Sequence, residues 1–149
     1  MATDVSIFEL IERLSQHLPL DPAKVSETLQ TRLEHAPAGD SPVLTSYTQP
    51  AGVSASRFAE VELRVPHPVF GSGGGLLAAT LKGHEGIDAE AVRKHYGLDF
   101  QQDVPSPRYP PGTPAYYNYK LPWGELSLGV SNDRAARLVS FAMKPKELP

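Results

Sequence analysis

The chain of 149 residues contains no cysteine. Disulfides, thiolate nucleophiles and cysteine zinc sites are thereby excluded. It has no apolar run near the ~20 residues that a membrane-spanning helix needs. Its first residues, MATDVS, lack the charged-then-apolar form of a secretory signal. Two expectations for location fit that start: a cytoplasmic protein, or the mature fragment of a periplasmic or envelope protein. Long basic runs are missing too. The longest is the pair Arg93-Lys94, and the net charge is −3, so nucleic-acid binding has no electrostatic footprint. The acidity is uneven: residues 1–50 carry seven acidic and three basic side chains (3 − 7 = −4), and the rest carry ten and eleven (11 − 10 = +1).

The motifs of catalysis are also scarce. The five histidines, His17, His35, His67, His84 and His95, show no i, i+4 pair and no H-E-x-x-H, the spacings that bring imidazoles together on a helix. His84 and Glu85 are neighbours, which a strand would point in opposite directions. Gly71-Ser72-Gly73-Gly74-Gly75 is the one glycine-rich loop. A phosphate cradle needs a helix N-terminus after the glycines, whereas an apolar strand pattern follows here, so the loop reads as a hairpin connection. Ser72 lacks the G-x-S-x-G setting of a nucleophile, and no pair of carboxylates stands out. The expectation is a protein that is not an enzyme, with no catalytic residue, metal or cofactor.

What the chain does have is proline, 15 residues, about twice the ordinary frequency, much of it in loop-like clusters. Between them lie clear element signals. Ser6 and Glu9 have capping-box spacing, Val5 and Leu10 suit a hydrophobic staple, and Ile7, Leu10, Ile11, Leu14 and Leu18 repeat at helical spacing up to Pro19. Asp21 and Pro22 suit the N-cap and first position of a second helix, with Val25, Leu29 and Leu33 as its apolar stripe, broken at Pro37 and Gly39. Strands are predicted over Val43 to Thr48, Phe58 to Val65 and Leu76 to Leu81. In the second of these, Ala59, Val61, Leu63 and Val65 alternate with Glu60, Glu62 and Arg64, the pattern of a sheet with one wet face. A third helix starts at Asp88, flanked by Ile87 and Val92, and ends at Gly97-Leu98 in a Schellman-like stop. After a Pro-rich stretch from Val104 to Pro114, strands are predicted over Tyr116 to Leu121, Glu125 to Val130 and Arg137 to Met143. Their turns are Pro122-Trp123-Gly124 and Ser131-Asn132-Asp133.

The two halves echo each other. Leu20-Asp21-Pro22-Ala23-Lys24-Val25 corresponds to Ile87-Asp88-Ala89-Glu90-Ala91-Val92 at an offset of 67, and Ala59, Val61 and Leu63 fall on Leu126, Leu128 and Val130 at the same offset. A unit of this size cannot close its own core. The expected fold is therefore α+β: a single domain over 1–149, with helix-then-β-meander halves (1–82 and 83–149) sharing one antiparallel sheet and the helices on one side.

The segments GIDAEAVRKHYG and YYNYKLPWGELSLGVSNDRAARLVSFAMKP, joined by the Pro-rich link, resemble the helix–loop–meander of small bacterial envelope lipoproteins of the SmpA/OmlA type. Tandem copies of a similar module form the β-lactamase inhibitor proteins, and similar small folds recur among immunity proteins that guard bacteria against secreted toxins. The β-lactamase inhibitors carry disulfides, which this chain cannot. The resemblance implies a non-enzymatic immunity or inhibitor protein with a protein partner, a toxin or secreted enzyme. It also admits an envelope assembly or scaffold lipoprotein. An unrecognised small enzyme or ligand carrier is the remaining alternative.

One further concentration bears on where a partner would sit. Five of the six tyrosines, and the single tryptophan, fall between Tyr96 and Trp123. Tyr and Trp combine large contact area with a polar tip and dominate binding hot spots. They also favour strands for ordinary packing reasons. Tyr109, Tyr116, Tyr117, Tyr119 and Trp123 are the expected partner-binding residues. Strand alternation places Tyr117 and Tyr119 on one face and Tyr116 on the other.

Overall fold

The structure, a computed structural model, describes residues 6–18, 20–50, 57–67, 75–83, 86–103, 108–110 and 113–146. Its helices begin where their capping residues stand. In α1 (Ile7–Ser15) the Ser6 hydroxyl accepts the Glu9 N–H at 3.1 Å. In α2 (Pro22–Leu29) Asp21 accepts from Ala23 N at 2.7 Å, and in α3 (Ala89–Tyr96) Asp88 accepts from Ala91 N at 2.8 Å. Each cap satisfies an N–H that the helix itself leaves unpaired. Val5, the expected staple partner of Leu10, lies outside the described residues.

The strands are β1 (Glu34–His35), β2 (Leu44–Thr48), β3 (Phe58–Pro66), β4 (Leu76–Leu81), β5 (Gln101–Asp103), β6 (Ala115–Leu121), β7 (Gly124–Val130) and β8 (Leu138–Pro145), with a short 3-10 turn at Pro37–Gly39. They form one antiparallel sheet in the order β1-β2-β3-β4-β8-β7-β6-β5. The protein is thus α+β, with sheet predominating.

Rows of paired residues run across the strands. Val61, Ala79, Phe141, Leu128 and Tyr117 form one row, and Leu63, Leu77, Met143, Leu126 and Tyr119 form the next. All ten are buried, and they share a core with Ile7, Leu10, Ile11 and Leu14 of α1, Val25 and Leu29 of α2, and Val92 of α3. The rows between them carry Glu62, Ala78, Ala142, Ser127, Asn118 and Gln101, then Glu60, Thr80, Ser140, Gly129, Tyr116 and Asp103. The sheet therefore has one apolar and one polar face, as period-two alternation requires.

The strand order reads the same from either end, four strands of each half in mirror sequence. Both ends of α3 lie 67 residues beyond those of α2 (89 − 22 and 96 − 29). Val61 pairs with Ala79 in the first half as Leu128 pairs with Phe141 in the second, and Ala79 faces Phe141 across the middle. A local twofold through that central pair relates the two registers.

Several sequence expectations need correction. The first helix ends at Ser15 and the second at Leu29, short of Leu18 and Leu33. Gln30 takes a left-handed conformation (φ 54°), the Ser26 hydroxyl donates to the Thr31 carbonyl, and Thr31 donates to Gln49, so the chain turns into β1 instead of continuing. In β3 a bulge between Phe58 and Glu60 brings Phe58 inward opposite Leu81 and leaves Ala59 exposed. Gly97 has positive φ (97°), but its ψ of −173° is extended and Leu98 is 78% exposed, so the Schellman contact is absent.

Candidate protein-docking surface

Of the five aromatic residues expected at the interface, the three on β6 divide between the two faces of the sheet. Tyr117 and Tyr119 are buried, 7% and 2% exposed, and belong to the core. Tyr117 stacks on Phe100 at 4.5 Å, and Arg93 reaches its hydroxyl at 3.4 Å. Tyr119 lies 5.4 Å from Tyr96 and 5.2 Å from Phe100, and its hydroxyl donates to the Gly97 carbonyl at 2.9 Å. Burial raises the phenol pKa of both Tyr96 and Tyr119, with the nearby Glu12 carboxylate adding to the rise at Tyr96. These two strand tyrosines fasten α3 and the segment after it to the sheet, which removes them from any surface available to a partner. Trp123 is half-buried in the two-residue turn between Leu121 and Gly124, packed against the core, and its carbonyl accepts the Lys146 N–H at 2.9 Å. Tyr109 is 60% exposed and Tyr116 40%.

Tyr116 stands on the polar face. A Cβ built on Gly129, its cross-strand partner, would come within 3.2 Å of the Tyr116 ring and would collide with Ser140 Oγ. Gly129 thus lets the ring lie down over the sheet, and the ring covers the backbone that the missing side chain leaves bare. Beside it a polar ladder crosses three strands: Ser127 Oγ donates to Asn118 at 2.6 Å, and Asn118 Nδ2 donates to Asp103 at 2.9 Å. On β3 the Glu62 and Arg64 side chains pair at 2.5 Å. Of the polar-face residues in the two rows given above, all are exposed or half-buried except Gly129. On β2, Ser46 is buried where Gly39 and Asp40 pass over the same face. There the Asp40 carboxylate accepts from Ser46 N at 2.8 Å and pairs with His35 at 2.7 Å. These two contacts, the backbone one first, hold its pKa below the ordinary value.

The histidines have separate surroundings. His35 meets Asp40, His67 meets Thr45 at 3.3 Å, and His95 stacks on Phe8 at 4.4 Å and helps join α1 to α3. Among the described residues no group of three or more His, Asp or Glu could hold a metal ion, and no helix is long and apolar enough to cross a membrane. His84, Glu85, residues 71–74 of the glycine-rich loop, and residues 104–107 and 111–112 of the Pro-rich stretch lie outside the described residues.

Sequence reasoning separated Tyr116 from Tyr117 and Tyr119 but gave no sign of which side was wet. The signal was present in the partner strand, where Ser127 and Gly129 alternate with Leu126, Leu128 and Val130. In comparisons with known proteins, the chain matches no family model, no curated protein and no solved structure.

Proposed function

We propose that the chain is a non-enzymatic binding protein of the immunity or inhibitor kind, which neutralises a bacterial toxin or secreted enzyme by docking the polar face of its sheet against it. The reading includes a fold of two duplicated units, α2 with β1–β4 and α3 with β5–β8, with the helices covering the apolar face and leaving the other for a partner. The observation that carries it is Tyr116: a large, 40% exposed aromatic in a row of the polar face whose other members, with those of the neighbouring row, are polar or small, from Glu60 and Glu62 across to Gln101 and Asp103. A protein inhibitor needs a complementary surface of about 800 Å² and no reactive group. Anchors of this kind are rigid aromatics ringed by polar contacts, here Asp103, Asn118 and Ser127.

The test is a titration of the chain against the product of an adjacent gene encoding a toxin or secreted hydrolase, with the activity of that product as readout. Inhibition at one-to-one stoichiometry is expected, and Tyr116→Ala should weaken binding about thirtyfold, the ~2 kcal/mol of a hot spot. Full enzyme activity at saturating chain, or a hydrogen-exchange footprint confined to α1 and α2, would reject the proposal.

A further inference from the structure

Register sets Asp103 of β5 directly opposite Tyr116. Opposed residues of an antiparallel pair hold their Cβ atoms about 5 Å apart on the same face. The Tyr116 ring leans the other way, toward β7, with Cε1 3.2 Å from where a Gly129 Cβ would stand. One side of the ring rests on the sheet, and water reaches the rest of a residue that is 40% exposed. Among the described residues no other aromatic ring contacts it.

Asp103 is exposed, yet its carboxylate is aligned. Asn118 Nδ2 donates to Oδ2 at 2.9 Å, and Ser127 Oγ holds the Asn118 amide through its oxygen at 2.6 Å. Among the described residues nothing donates to the second oxygen, Oδ1, and no cation pairs with the carboxylate. All 14 Lys and Arg of the chain are among the described residues. The one on β6, Lys120, stands four residues along from Tyr116, about 13 Å, and faces Glu125 across the ladder.

An exposed ring beside an aligned carboxylate without a counter-ion is equipped to take a cation. The ring face attracts positive charge through its quadrupole, and the open carboxylate oxygen accepts a charge-assisted hydrogen bond. Guanidinium meets both at once, because it is planar, stacks on rings and carries its N–H donors around its rim. Ammonium is a strongly hydrated point charge without a flat face. The net charge of −3 favours the approach of a basic surface. We infer that the docking face receives an arginine of its protein partner, stacked on Tyr116 and hydrogen-bonded to Asp103, a contact that rests on the docking proposed above and names the group it takes.

Backbone amide NMR of the whole chain at constant ionic strength tests it with three probes: acetyl-Gly-Arg-Gly-amide, and the same peptide with lysine or with uncharged citrulline in place of arginine. The arginine peptide should shift the Asp103, Tyr116, Asn118 and Gly129 amides saturably, with a dissociation constant of about 10–50 mM, as one stacking and one charge contact supply. The lysine peptide should bind about threefold more weakly, and the citrulline peptide should not saturate. Asp103→Asn can still accept from Asn118 and should weaken the arginine peptide about fivefold, the effect of one exposed ion pair; Asp103→Glu should recover part of that loss. Tyr116→Leu should weaken it about threefold, and Tyr116→Phe, which keeps the ring, by less. Both positions are exposed, so the variants should fold, which thermal unfolding checks. No saturable shift, lysine or citrulline peptide bound as tightly as arginine, or binding unchanged in Asp103→Asn would each overturn the inference. Titration against the neighbouring gene's product separates the two levels. Inhibition undiminished in Asp103→Asn rejects the arginine contact and keeps the inhibitor; arginine-peptide binding without inhibition rejects the inhibitor and keeps the cation-binding pair.

Discussion

The two halves of the sheet share a register but not a filling. Around β3 and β4 the core is largely aliphatic, with Val61, Leu63, Leu77, Ala79 and Leu81, and Phe58 as the buried ring; α1 and α2 add Ile7, Leu10, Ile11, Leu14, Val25 and Leu29. Around β6 to β8 the corresponding rows hold Tyr117, Tyr119 and Phe141, with Phe100 and Tyr96 packed against them. One half brings extra helix and the other brings rings. Pairing register and alternation thus specify the backbone plan, and quite different side chains complete it, as cores tolerate when volume and pattern are kept.

The largest expected effect probes the centre of that comparison. Phe141 is fully buried and faces Ala79 across the local twofold. Phe141→Ala should cost about 3–5 kcal/mol of unfolding free energy in urea. If the two positions are equivalent, adding Ala79→Phe to it should recover a good part of that loss by returning the ring to the other side of the axis. A double variant no more stable than Phe141→Ala alone breaks the equivalence.

A smaller effect isolates the aromatic half. Tyr119→Phe keeps the ring and removes the hydroxyl that donates to Gly97, which should cost about 1 kcal/mol, plus more if the carbonyl is left unpaired. The pH dependence follows in sign. The folded-state pKa of Tyr119 is raised by burial above its ordinary 10.0, so the folded chain holds the proton more tightly than the unfolded one. That contribution is complete below pH 10 and is lost as pH climbs through the folded value. Unfolding midpoints of wild type and Tyr119→Phe should therefore converge above pH 10; a constant gap would detach the hydroxyl from the effect.

How much of this was legible in the sequence depended on whether the determinant was local. The caps Ser6, Asp21 and Asp88 are local, and the helices start at them. The alternation in β3, β6 and β7 is local, and those strands lie within a residue or two of the expected ranges. What the sequence withheld was set by distant partners. β1 and β5 are two and three exposed residues that become strands by pairing with Thr48 and Tyr47, and with Asn118, Tyr117 and Tyr116. The early stop of α2 depends on Gln49, 18 residues beyond Thr31. For the candidate site, alternation told which tyrosines travel together. Which side is interior shows in the packing of α3 and Phe100 on Tyr117 and Tyr119, and its sequence signal lies in the partner strand, where Ser127 and Gly129 stand opposite Asn118 and Tyr116.

That decision sets the last and smallest expected effect on stability. Tyr116 and Tyr117 are adjacent in sequence, are both strand tyrosines, and pair with Gly129 and Leu128. Tyr117 is in the core, so truncating it should cost several kcal/mol, as for other buried rings. Tyr116→Ala removes a ring that only lies over Gly129 in contact with water, and should cost less than about 1 kcal/mol, the range of a cross-strand pair. The comparison is sharpened by adding Gly129→Ala. In wild type that change would press the new methyl into Ser140 and the Tyr116 ring, whereas in Tyr116→Ala the ring contact is gone and only Ser140 must move. Gly129→Ala should therefore be better tolerated in the Tyr116→Ala background than alone. Chemical denaturation of the four chains measures the coupling directly. A coupling near zero would mean that the ring does not rest on Gly129, and that Tyr116 is free to swing instead of being held in place as a docking anchor must be.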